Sequence, residues 1–216
     1  MQGNLIIYII LIYFSKIYFS FLYLNYSVGK TSLLNRFIKN EFSLHYKESI
    51  GADFLTKVIE RGHDTIQLQL WDTAGGEKYH SIASSFYRNT ETCVLVFDLS
   101  NPDSYKNIEI WRNEFLKQLN PSEGDKFPFI LLGNKSDLGN SSIAQEEVEN
   151  YCKAHNNIPF FMTSAKDNIN IDEAFNKIID LTYERNSKNE DNFVPVNNIK
   201  ITREEPKKKK KKCCKK

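Results

Sequence analysis

Cysteine is scarce in this chain, and the four that occur do not make a disulfide framework. Cys93 lies in an apolar, strand-like run and Cys152 in a helical one, whereas Cys213 and Cys214 are adjacent near the C-terminus. That placement argues against a cross-linked secreted scaffold and fits a reducing cytosol. Internal repeats are missing too, which excludes a stacked-repeat architecture. Met1-Gln2-Gly3-Asn4 carries no positive charge, and no small-residue cleavage site follows the apolar stretch behind it, so a cleaved secretory signal fits poorly. Length is also limiting: 216 residues, 41% of them hydrophobic, bury one full core and not two comfortable ones.

What is present is unevenly spread. The net charge is +2, yet the eight lysines at 207–212, 215 and 216 more than account for it and leave residues 1–206 at −6. An acidic globule with a basic arm points to a membrane surface or a nucleic acid as the arm's target. At the other end, residues 5–24 (LIIYIILIYFSKIYFSFLYL) are apolar but for Lys16 and two serines, and are long enough to cross a bilayer. Two readings stand here. One is a signal anchor. The other is translated non-coding sequence ahead of a displaced start, because Ile, Tyr, Phe and Leu alternate without Ala, Val or Gly. In both, residues 19–23 must serve as the strand before the loop that follows, and their β-propensity permits it.

From there helix and strand signals alternate. A helix is predicted over 30–39, followed by a polar loop to Ser49. Strands over 54–60 and 65–71 flank the turn Arg61-Gly62-His63-Asp64. Residues 93–99 (CVLVFDL) and 129–132 (FILL) read as strands buried on both faces. Helices fit 102–119, 144–155 and 171–184, with a strand at 159–162. This alternation implies a doubly wound, mostly parallel sheet that binds ligands at the carboxyl ends of its strands. The organisation is a hydrophobic segment at 1–18, a domain over 19–184, and a disordered arm over 185–216.

The chemistry lies in four turns. Ser27-Val28-Gly29-Lys30-Thr31-Ser32 carries the second half of a phosphate loop, G-x-x-x-x-G-K-[ST]. In it Gly29 lets the backbone approach an anion, Lys30 reaches the β- and γ-phosphates, and the Thr31 hydroxyl can ligate Mg²⁺. Leu33, Leu34, Phe37 and Ile38 continue at helical spacing, so the loop opens a helix whose free N–H groups favour phosphate. The first half is degenerate: Leu24 stands where a glycine is expected, and a bare Gly-Lys-Thr also opens ordinary helices. Asp72-Thr73-Ala74-Gly75 ends the third strand, where Asp72 can hold Mg²⁺ through water and the Gly75 N–H can meet a γ-phosphate. An Asp capping a turn is the bland alternative. Asn134-Lys135-Ser136-Asp137 follows a buried strand; Asp137 can accept from the N1 and 2-amino donors of guanine while Lys135 packs over the base. Ser164-Ala165-Lys166 follows the last strand, where a backbone N–H can meet the guanine O6. Each turn alone is ordinary. Their order, each after a strand, is what indicates a nucleotide site.

With these motifs in place the sequence resembles a small GTPase of the Ras superfamily, specifically its Rab branch, over about residues 20–184 and in the tail. Ile50-Gly51-Ala52-Asp53-Phe54 resembles the effector-loop signature, and Leu70-Trp71-Asp72-Thr73-Ala74-Gly75 the second switch. The stretches 50–57, 111–116, 127–129 and 156–159 look most like the late-endosomal subfamily. The resemblance implies a P-loop GTPase fold with six strands and helices on both faces, bound GTP or GDP, and Mg²⁺. It also implies a switch in endosomal-to-lysosomal vesicle traffic on the cytoplasmic face of late endosomes or lysosomes, with a cytosolic pool. Ser49 falls where the family closes a Thr over Mg²⁺, and Phe54, Trp71 and Phe86 match the aromatic triad shown, with Ile50, to effectors; core packing is the plainer role for these aromatics. Implied partners are effectors, an exchange factor, an activating protein, a prenylation escort and a dissociation inhibitor. The departures are Leu24, Asn25, Tyr26 and Ser27 in the first half of the loop, and Gly76 where the catalytic glutamine belongs. They imply slow hydrolysis or, alternatively, a pseudo-GTPase serving as a tethered binding module. Cys213-Cys214 resembles the paired cysteines that carry geranylgeranyl groups, and it is not a C-a-a-X box. Two lipids, or one with a polybasic run, give stable anchoring. Each lysine adds about 1 kcal/mol near an anionic leaflet, and the adjacent terminal cysteines favour the membrane over nucleic acid as the arm's target.

Overall fold

The computed structural model describes residues 6–13, 17–24, 27–44, 52–61, 64–73, 90–119 and 124–190. Within them, in chain order, are β1 (Ile6–Tyr13), β2 (Ile17–Leu24), α1 (Lys30–Lys39), β3 (Ala52–Arg61) and β4 (Asp64–Thr73). Then come β5 (Thr92–Asp98), α2 (Pro102–Lys106), α3 (Ile108–Gln118), β6 (Phe129–Asn134), α4 (Gln145–Ala154), β7 (Phe160–Met162) and α5 (Ile171–Glu190). Seven strands form one sheet in the order β3-β4-β1-β2-β5-β6-β7.

The two apolar runs make its centre. Every residue of β5 and β6 is buried. Because successive side chains point to opposite faces, both faces of the sheet are covered there. β2, β5, β6 and β7 run parallel, with Cys93 opposite Phe129 and Leu131 opposite Phe160. The β3–β4 hairpin instead alternates: Ile66, Leu68 and Leu70 are buried, whereas Thr65 is exposed. Helical spacing buries Leu33, Leu34 and Phe37 of α1, and Ile171, Ala174, Phe175, Ile178 and Ile179 of α5. The rings of Phe37 and Phe175 stack with centroids 3.9 Å apart, which fixes α1 against α5. Each such fully buried side chain stabilises the fold by about 1.5–3 kcal/mol.

Four expectations change. The sheet has seven strands, not six, because residues from the N-terminal apolar run add β1. That run is a β-hairpin, Ile6 opposite Leu24 and Tyr13 opposite Ile17, and not a spanning helix; no helix among the described residues is long and apolar enough to cross a membrane. Its aromatic and β-branched content suits a pleated strand. The strand required at 19–23 lies within β2. The single helix over 102–119 is two, because Asn107, with ψ −8°, leaves the regular helical path between α2 and α3. The last helix continues to Glu190, six residues into the arm expected to be disordered. Asn101 caps α2, its side chain accepting from the Asp103 N–H at 3.1 Å, and Pro102 takes the first helical position, where no N–H is needed. The remainder of the tail, with Lys207–Lys212, Cys213 and Cys214, lies outside the described residues.

Candidate functional site

At the carboxyl ends of β2, β5, β6 and β7 the chain brings three loops together. The first precedes α1. Ser27 and Gly29 both have left-handed backbones, φ 60° and 88°, and the Gly29 carbonyl accepts the first helical bond from the Leu33 N–H at 2.9 Å. A Cβ on Gly29 would stand 2.5 Å from Asn134 Nδ2, so glycine is required both for its conformation and for the space beside it. Val28 and Lys30 are buried, and Thr31 and Ser32 half-buried.

The partner crowding Gly29 is the hub of the site. Asn134, the last residue of β6, is buried and donates Nδ2–H to the Val28 carbonyl at 2.8 Å. Its Oδ1 accepts from the Thr163 hydroxyl and the Ala165 N–H, each at 3.3 Å. One carboxamide therefore joins the phosphate loop, the β6 turn and the β7 turn. The Thr163 N–H to Gly133 carbonyl bond at 2.7 Å and the Ser136 N–H to Thr163 carbonyl bond at 3.0 Å run alongside it.

Beyond Asn134 the next residues turn outward. Lys135 has a left-handed backbone, φ 66°, and its Nζ meets Asp98 Oδ2 at 2.7 Å. Asp137 Oδ1 accepts from the Ser164 hydroxyl at 2.7 Å, and its Oδ2 lies 3.6 Å from Lys166 Nζ. The same Ser164 oxygen accepts the Asp167 N–H at 3.0 Å, which sets the curve of that loop. A carboxylate offers about four lone-pair sites, so Asp137 keeps acceptor capacity for two further donors. Arg36 of α1 closes the structure from the far side: its Nε donates to the Ala165 carbonyl at 2.8 Å and its Nη2 to the Lys166 carbonyl at 2.9 Å.

The expected residues Ser27, Val28, Gly29, Lys30, Thr31, Ser32, Asn134, Lys135, Asp137, Ser164, Ala165 and Lys166 thus belong to one loop cluster. Asp72 is the penultimate residue of β4, and Phe54 of β3 is register-paired with Trp71. Ser49, Ile50, Gly75, Gly76 and Phe86, with Asn25 and Tyr26, lie outside the described residues. Thr31 and Asp72 supply hard oxygen donors of the kind Mg²⁺ takes. Sequence reading missed Arg36, Asp98 and Thr163. Asp98 carried a signal: it is an acidic residue ending an otherwise apolar buried strand, where α/β sheets bind ligands.

Comparison with known proteins agrees with this arrangement. The family model described as the Ras family matches residues 24–184. The Ras-related protein Rab7 of Drosophila melanogaster is 46% identical over 152 residues, 70% of this chain and 73% of that protein. The Ras-related protein RABG3a of Arabidopsis thaliana is 44% identical over 189 residues, 86% of this chain and 91% of its own length. The Ras-related protein Rab7 of Pisum sativum is 48% identical over 154 residues, 70% and 75% of the two chains.

Asn134→Ala removes all three bonds of the hub and leaves the buried Val28 carbonyl without its donor. A loss of about 2–3 kcal/mol is expected, read as a lower urea midpoint at unchanged slope together with weaker nucleotide retention. A variant as stable and as retentive as the parent would show that the three loops are held together by other contacts.

Proposed function

The chain belongs to the Ras family, as a Rab-type small GTPase of the late-endosomal Rab7 kind, and we propose that it works as a slow switch whose GTP form recruits effectors to late-endosomal or lysosomal membrane. Rab GTPases regulate membrane traffic, bind GTP and GDP with Mg²⁺, and act with effectors, exchange factors, activating proteins and a dissociation inhibitor. The observation that carries the reading for this chain is the Asn134 junction, which sets the phosphate loop and the two base-side turns in one rigid frame.

Each residue then has a task. Lys30 and the N–H groups opening α1 bind the phosphates, and Thr31, Ser49 and Asp72 hold the cation. The carboxylate of Asp137, already turned toward the Ser164 loop, accepts from the two donors that guanine has and adenine lacks. Lys135 lies across the base, and the Ala165 region meets its O6. Bound GTP with Mg²⁺ supplies the phosphoryl group that the switch removes. Ile50, Phe54, Trp71 and Phe86 form the surface that reads the outcome. Prenylated Cys213 and Cys214, with Lys207–Lys212, hold the protein on an anionic membrane, and no nucleic acid is involved.

Hydrolysis is where the sequence departs from the motif pattern of the family it resembles. Attack on the γ-phosphate needs a water held in line, commonly by a glutamine, and Gly76 has no side chain to hold it. Tyr26 stands at a loop position where bulk in Ras-like proteins crowds the same phosphate. These two residues favour a second reading as well, a hydrolysis-deficient binding module. The nucleotide carried by the purified protein separates the two: exchangeable GDP supports the switch, and GTP alone or nothing supports the module.

Three outcomes are expected. Asp137→Asn exchanges guanine for xanthine preference, because one acceptor becomes a donor; unchanged affinity for guanine nucleotide would refute the base assignment. In single-turnover assays on GTP-loaded protein, Gly76→Gln speeds hydrolysis, with up to about 2–4 kcal/mol of barrier to recover by analogy with other orienting contacts. If neither it nor Tyr26→Gly helps while GTP stays bound, the obstacle is elsewhere in the loop. Changing Cys213 and Cys214 to Ser leaves the protein soluble, and continued pelleting with membranes would locate the anchor in another segment.

A further inference from the structure

Asp98 has no part in any of the motifs above, yet it is the immediate partner of one of their residues. It ends β5, and its side chain is only 9% exposed. One carboxylate oxygen, Oδ1, takes the Ser100 N–H at 2.9 Å and the Ser100 hydroxyl at 2.7 Å. The other, Oδ2, takes the Lys135 ammonium at 2.7 Å. Both oxygens are thus engaged, and the residue itself is fixed. Its N–H donates to Ser104 Oγ at 3.0 Å, the following Leu99 N–H donates to the Asn134 carbonyl at 3.0 Å, and Ser142 N–H donates to the Leu99 carbonyl at 2.9 Å. Burial alone would push the carboxyl upward, but the Lys135 ammonium and the Ser100 donors bring it below its ordinary value, so it is ionised at neutral pH.

The geometry of Lys135 gives this pair its consequence. A lysine side chain is a flexible four-carbon stem ending in a strongly hydrated charge, and left alone it samples many rotamers in water. The left-handed backbone of Lys135 fixes the near end of the stem at the start of the turn after β6, and Asp98 holds the far end. With both ends held, the stem has far fewer courses open to it. We infer that Asp98 is a positioning residue for the nucleotide: by pinning the Lys135 ammonium it keeps the lysine stem laid over the guanine base and so slows nucleotide release. This rests on the guanine-nucleotide reading of the site. It assigns release rate to the Asp98–Lys135 pair and leaves base identity to Asp137.

The test is a double-mutant cycle on the full-length protein, read as the release rate of a fluorescent GDP analogue. Asp98→Asn keeps the shape and removes the charge, and about tenfold faster release is expected, the factor that 1.4 kcal/mol represents. Lys135→Met keeps a stem and removes the anchor point, with a similar acceleration. The double variant should release no faster than either single one, because both remove the same tether. Preference for guanine over xanthine should be unmoved throughout. A merely structural Asp98 would instead lower the melting temperature and give rates that multiply in the double variant. Parental release from Asp98→Asn, or multiplying effects, overturns the role of Asp98. Failure of the parent to bind any guanine nucleotide overturns the site reading beneath it. Should Asp98→Asn not fold, Lys135→Arg decides: its guanidinium still reaches a carboxylate, so near-parental release supports the tether, and release as fast as Lys135→Met overturns it.

Discussion

Asn134 has one donor aimed at the Val28 carbonyl and one acceptor shared by Thr163 and Ala165, and the first of these bonds spans 106 residues of chain. Buried where water cannot substitute, a carboxamide must find such partners or lose the stability they supply. That demand makes the three loops one object. Gly29 follows from it, because any side chain there would occupy the position of the Asn134 nitrogen. The strand order follows in part as well, since Asn134 reaches β2's loop only from a strand that lies near it across β5.

Around this neutral hub the charged groups are arranged in pairs. Lys135 meets Asp98 on one side, and Lys166 meets Asp137 on the other. Arg36 donates to two carbonyls of the same turn that Asn134 holds by its N–H. The turn containing Ser164, Ala165 and Lys166 is thereby gripped from the phosphate side and the base side together. The loop before α1 and the 164–166 turn are also linked through α1 itself, a helix packed on α5 by the Phe37–Phe175 stack. If these loops bind phosphate and base as proposed, the two recognitions draw on the same few hydrogen bonds.

Sequence reading recovered the elements whose burial is uniform. β5 and β6 are apolar at nearly every position because helices cover both faces, and such runs have few alternative readings. The motif residues of 27–32, 134–137 and 164–166 fall in one loop cluster, and each motif was legible because it is a short, contiguous word. It did not recover the break at Asn107, where helical spacing of apolar residues continues from Tyr105 through Ile108 to Phe115 and no Gly or Pro interrupts it. The hairpin of residues 6–24 was hidden for the opposite reason. A run this nearly all apolar carries no clear period, so it fits a strand pair and a long helix equally well. Asp98 and Arg36 were missed because their roles depend on residues 37 and 129 positions away, and no local pattern records such a distance.

The extra strand is accommodated without a change of register. β1 lies between β2 and β4, antiparallel to both, and Leu11 is level with Phe19 on one side and with Gln69 on the other. Phe19 and Gln69 also pair directly with each other, in parallel. The two flanking strands therefore keep the same alignment whether they are counted across β1 or against one another. Neighbouring strands lie about 4.8 Å apart, and the direct Phe19–Gln69 pair shows that β1 does not separate β2 from β4 along their whole length. The strand that leads into the phosphate loop is thereby keyed to the strand that carries Asp72 twice over, once directly and once through β1, and each pairing enforces the other.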